Sequence, residues 1–107
     1  MKFVGLWYIT EMEMWDEDYI NLEKQAFIHV KPDGLGDFQF GLVVGQLDGE
    51  IEEISGNEKF VFTFVGTDEL DPVSGSGWLK FSTSMNLVGR FKFHLGDSSG
   101  FKAKRVE

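Results

Sequence analysis

Hydrophobic and polar residues alternate with a period of two along most of the chain. Gly, Asp and Asn interrupt the alternation at short intervals, as turns between strands do. Phe38-Gln39-Phe40 and Phe60-Val61-Phe62-Thr63-Phe64 show the pattern at its clearest. It predicts eight strands, over 3–14, 19–30, 37–47, 50–54, 59–65, 78–82, 87–95 and 101–106. Turn chemistry separates them: Trp15-Asp16-Glu17-Asp18, Lys31-Pro32-Asp33-Gly34, Asp48-Gly49, Ser55-Gly56-Asn57-Glu58, Thr83-Ser84-Met85-Asn86 and Gly96-Asp97-Ser98-Ser99-Gly100. The longest irregular stretch is 66–77. The fold class expected is all-β, an antiparallel up-and-down meander of about eight strands.

The 107 residues fit a single domain spanning 1–107. Aromatics make up 15% of the chain, with 11 Phe, which leans the composition toward strands. There is no cysteine, so disulfides, thiol catalysis and Cys-based zinc sites are excluded, and a reducing compartment fits. The apolar opening Phe3-Val4-Gly5-Leu6-Trp7 stops at Thr10-Glu11, too early for a secretory h-region. No apolar run approaches a membrane span. A cytoplasmic protein is therefore expected. The net charge of −8 lacks the basic footprint that nucleic acid or an anionic membrane requires, so neither is an expected partner.

Charge changes the picture of the sheet. Residues 1–25 carry six acids (Glu11, Glu13, Asp16, Glu17, Asp18, Glu23) and two lysines. Residues 78–107 carry two acids and six bases (Lys80, Arg90, Lys92, Lys102, Lys104, Arg105). Strands of opposite charge at the two chain ends are suited to pair, and a meander of this length avoids open edges by closing. A small closed barrel follows, with Glu11 and Glu13 beside Lys102, Lys104 and Arg105.

Gly5-Leu6-Trp7 resembles the Gly-x-Trp opening of lipocalin-type barrels, the calycin group. That resemblance implies that Trp7 plugs one barrel end and that Arg105, on the last strand, stacks over it. The segments Thr10-Glu11-Met12-Glu13-Met14-Trp15-Asp16, Phe38-Gln39-Phe40-Gly41, Gly66-Thr67-Asp68-Glu69-Leu70-Asp71-Pro72 and His94-Leu95-Gly96-Asp97-Ser98-Ser99 resemble a family of small bacterial hypothetical proteins. This second resemblance implies no activity and carries over no functional residues.

Three groups carry candidate chemistry. Glu11 and Glu13 share a face by strand periodicity, that of Trp7 and Ile9. If that face points inward, two carboxylates stand in the barrel or at its mouth and require Lys24, Arg90 or a ligand as partner. If Tyr8, Met12 and Met14 point inward instead, the glutamates are a solvated face. Asp68, Glu69 and Asp71 are oxygen ligands of the kind Ca²⁺ or Mg²⁺ takes, in a segment that also reads as ordinary turn chemistry. His94 with Asp97, Ser98 and Ser99 holds the residue types of a hydrolase, without a nucleophile elbow or an oxyanion hole.

The leading expectation is a non-enzymatic binding module with a pocket at the barrel end or in the interior. Its partner is a small-molecule ligand or a protein, its ligand-binding residues are Glu11, Glu13, Arg90 and His94, and no cofactor is implied. The alternatives are a protein–protein adaptor using Trp15 and Trp78, and a hydrolase or metal-dependent enzyme using the acidic loops and His94.

Overall fold

The structure is a computed structural model that describes residues 1–106. Eight strands hydrogen-bond in chain order and close into one barrel. They are β1 (Gly5–Met12), β2 (Phe27–Val30), β3 (Leu35–Phe40), β4 (Val43–Ile54), β5 (Asn57–Asp68), β6 (Asp71–Thr83), β7 (Asn86–Phe93) and β8 (Ser98–Arg105), with one short helix, α1 (Glu17–Ile20). All neighbouring pairs are antiparallel, and β1 pairs β8 to complete the ring. The all-β, up-and-down barrel is therefore the fold, and its seam joins the acidic and basic ends. Among the described residues no helix is long and apolar enough to cross a membrane.

The strand count agrees with the periodicity, but three predicted segments change. Asp48-Gly49 is not a turn; β4 runs straight through it. The chain reverses instead at Gly41-Leu42, where Gly41 has φ +58° and lies against the Tyr19 ring. The stretch 66–77 is not a loop either. β5 continues to Asp68, Glu69-Leu70 makes a tight turn with Glu69 at φ +57°, and β6 begins at Asp71. In the second predicted strand, Asp16 caps α1 by accepting the Tyr19 N–H at 2.9 Å, so only its last four residues form β2.

One physical cause underlies the misplaced turns. Glycine here often serves space rather than turning. Phe38 faces Gly45 across the β3–β4 ladder, Phe62 faces Gly77 and Phe64 faces Gly75 across β5–β6, and Phe101 faces Gly89 across β7–β8. A Cβ at any of these four glycines would stand 2.4–2.8 Å from an atom of the facing ring. Gly49 likewise lies under Phe60. Each ring lies over the bare backbone of the next strand, so large and small residues fill a narrow eight-stranded barrel without collision.

The rings form one connected core. Phe91 touches Phe38 at 4.7 Å and Phe101 at 4.7 Å, and it also meets Phe40, Phe62 and Phe64. Trp15 and Tyr19 cover one barrel end over Phe40 and Phe93. Phe3, fully buried, closes the other end between Phe60 and Phe81.

Candidate functional site

The seam decides where the glutamates point. Trp7 and Ile9 are fully buried, and Ile9 pairs Ala103. The register then shifts: Thr10 and Glu11 together oppose Lys102, and Met12 pairs Phe101. This bulge adds one residue to β1, with the Thr10 hydroxyl donating to the Lys102 carbonyl at 3.2 Å. Alternation restarts with Met12 buried, so Glu11 and Glu13 face solvent. Both expected faces are thus corrected in part. Trp7 and Ile9 point inward as the first has it, yet the glutamates do not follow them. Met12 points inward as the second has it, yet Met14 is exposed.

On the outer wall Glu11 meets Lys102 at 3.4 Å, and Glu13 meets Arg90 at 3.4 Å. Arg90 also donates to the Ser98 hydroxyl at 2.8 Å, and Glu13 accepts from the Gly100 N–H at 3.4 Å. These contacts stitch the seam across β1, β8 and β7. His94 does not join them. It lies about 13 Å along the chain from Arg90 at strand rise. There it lines a separate hollow with Lys92, Ser74 and Ser76. The four residues expected to bind one ligand therefore occupy two places on the barrel exterior.

Asp68 and Asp71 close the β5–β6 hairpin, opposite each other in register, with Glu69 in its turn. Among the described residues no three His, Asp or Glu side chains gather as a metal site would require. Trp15 is half-buried against Phe40, and Trp78 lies under the Lys59 ammonium at 4.7 Å. Both tryptophans are partly exposed.

Arg105 does meet Trp7. Its guanidinium lies 4.1 Å from the indole centroid, and the two residues are register partners. The indole N–H donates to the Phe3 carbonyl at 2.9 Å. Arg105 donates from Nη1 to the Val4 carbonyl at 3.1 Å and from Nη2 to the Lys2 carbonyl at 2.9 Å. Gly5, at φ +137°, leaves room for this approach, since a Cβ there would stand 3.1 Å from Nη1. The arginine thereby clamps the segment that carries the Phe3 plug.

Around this clamp lies a depression of about 560 Å³ lined by Lys2, Phe81, Thr83, Ser84 and Arg105. Phe81 is half-buried, 4.6 Å from Phe3 and 5.7 Å from Trp7 between ring centroids. Thr83 Oγ1 accepts from the Met85 N–H and from Asn86 Nδ2, so its own proton is left to donate outward. Arg105 has spent two of its five donors. A larger hollow of about 710 Å³ lies on the outer wall of β3–β5, where Lys31, Asp37 and Asp48 give it mixed charge. Of the depression's residues, sequence reasoning singled out only Arg105. Phe81, Thr83 and Ser84 sit together at the end of β6, but Lys2 and Arg105 come from the two ends of the chain, and only barrel closure brings the three segments together. Compared with known proteins, the chain matches no family model, no curated protein and no solved structure.

Proposed function

We propose that the protein is a non-enzymatic binding module that takes a small organic anion with a flat apolar body at the Lys2–Arg105 end of the barrel. One observation carries the reading. Two cations, two hydroxyls and the face of Phe81 line a single depression on a molecule whose net charge is −8. Arg105 is held in place before a ligand arrives, by Trp7 beneath it and by two carbonyls at its edge. A fixed donor set loses little entropy on binding. Lys2 is the more exposed partner: among the described residues it bridges Glu58 alone, at 3.9 Å, a weak surface pair that it can exchange for an anion. The lack of cysteine and the acidic surface suit a cytoplasmic setting.

A thermal-shift series tests this, using aromatic carboxylates and their neutral amides on the intact chain. Carboxylates raise Tm and amides do not. Ligand at a hundred times Kd stabilises by about 2.7 kcal/mol. Lys2→Glu removes most of the shift while Tm without ligand stays within a few degrees. Equal shifts from carboxylates and amides, or an undiminished shift in Lys2→Glu, overturn the proposal.

A further inference from the structure

The β4–β5 ribbon runs past the end of β3. β4 and β5 pair over their full length, from Val43↔Asp68 to Ile54↔Asn57. β3 stops pairing β4 at Leu35↔Asp48, and the last main-chain bond is Gly49 N–H to the Gly34 carbonyl, 2.9 Å. Beyond it no described residue pairs with the outer edge of Glu50–Ile54. Backbone groups alternate sides along a strand. Since the Gly49 N–H points toward β3, the N–H and C=O groups of Ile51 and Glu53 point to that open edge. The opposite edge of the ribbon is flanked by side chains of neighbouring segments: Lys2 reaches Glu58, Phe3 packs on Phe60, and Lys59 lies over Trp78.

The open edge is strongly acidic. Between Asp48 and Glu58 the chain carries five acids and no base. Glu53 stands directly opposite Glu58, a repulsive cross-strand pair. Glu52 stands opposite Lys59, but that ammonium is drawn to the Trp78 ring, 4.7 Å from its centroid. Among the described residues no cation lies within 4 Å of a carboxylate of Glu50, Glu52 or Glu53. Beside the edge is a hollow of about 440 Å³ lined by Asp48, Gly49, Glu50, Val61, Phe62 and Thr63. An apolar floor at Val61 with carboxylates on the rim matches a Lys or Arg side chain, whose aliphatic stem covers apolar surface while its head stays with the charges.

We infer that this edge takes an added β-strand from a basic, extended segment of a partner protein. A second copy of this chain is the wrong occupant, because it would bring the same acids to the same edge. The partner strand spans Glu50–Ile54, about 17 Å. It exchanges main-chain hydrogen bonds with Ile51 and Glu53 and places a Lys or Arg over Val61 between Asp48 and Glu50.

The probe is a short, fluorescently labelled peptide alternating Lys or Arg with Val, titrated against the intact chain by anisotropy. Binding at about 50 mM salt weakens tenfold or more at roughly 500 mM. Ile51→Pro removes an outward N–H that the β4–β5 ladder does not use. It, too, weakens binding about tenfold or more, as one lost main-chain bond with its neighbours displaced predicts. The same peptide N-methylated at alternate residues fails on the unmodified protein, which decides the matter if Ile51→Pro disturbs the ribbon. Amide chemical shifts move at Ile51 and Glu53. Three results overturn the inference: no binding of the peptide at millimolar concentration, binding indifferent to both Ile51→Pro and N-methylation, or shifts confined to another surface. A concentration-dependent dimer that protects the Ile51 and Glu53 amides overturns it in favour of a second copy.

Discussion

Arg105 performs several tasks with one planar group. It stacks on Trp7, donates to two carbonyls, and so holds Phe3 in the barrel end. Arg105→Ala is expected to cost about 2–3 kcal/mol in urea denaturation, the sum of a cation–π contact and two charge-assisted hydrogen bonds. Arg105→Lys keeps the charge but loses the planar fork, and recovers less than half. The ring-facing glycines make a second residue-scale case. At Gly77 a Cβ would stand 2.3 Å from the Arg90 carbonyl oxygen and 2.5 Å from Phe62. Gly77→Ala should destabilise by roughly 1–3 kcal/mol through overpacking. Gly56, in the β4–β5 turn at φ +81°, has nothing within 4 Å of a Cβ, so Gly56→Ala should cost about 1 kcal/mol, from backbone strain alone. The same denaturation series ranks all four variants.

At the scale of elements, the bulge in β1 governs which side chains the seam presents. Removing Thr10 leaves Ile9 followed by Glu11 and Met12, so the in–out alternation survives without the bulge. Deletion of Thr10 is therefore expected to keep the barrel and cost less than about 2 kcal/mol. Deletion of Tyr8 puts Trp7 and Ile9 on opposite faces, since a one-residue slip reverses every side chain beyond it. That variant should lose cooperative unfolding. Equal behaviour of the two deletions in urea would refute this account of the seam. Period-two patterning put Trp7 with Ile9 on one face of β1 and Phe101 with Ala103 on one face of β8, but left open which face of β1 points inward. It carried no mark of the bulge, because a bulge is a property of two paired strands and Thr10 is unexceptional in one.

Across the whole molecule, closure joins residues some ninety positions apart, and the charge layout foretold which strands meet. It does not supply the energy. The Glu11 and Lys102 side chains are each 65% exposed, a setting in which an ion pair contributes 1 kcal/mol or less. Burial of the rings from Phe3 to Phe101 outweighs that many times over, at about 1.5–3 kcal/mol per side chain. A double-mutant cycle on Glu11→Gln and Lys102→Met should accordingly give a coupling of about 0.2–1 kcal/mol. A coupling of several kcal/mol would show that charge, not packing, holds the seam. The charges mark the register; the core closes the ring.

The sequence by itself determined the class of fold, the number of strands and the pairing of the chain ends. These follow from alternation and from the distribution of charge, which a linear chain displays; the contact of Trp7 with Arg105 was expected only from the resemblance of Gly5-Leu6-Trp7 to lipocalin-type barrels. Tertiary structure alone decided three further matters. It set which glycines turn the chain and which lie beneath a ring, because that depends on the residue opposite. It turned Glu11 and Glu13 outward, because that depends on a register shift against β8. It assembled Lys2, Phe81, Thr83, Ser84 and Arg105 at one barrel end and left the β4 edge open, because both depend on where neighbouring strands stop.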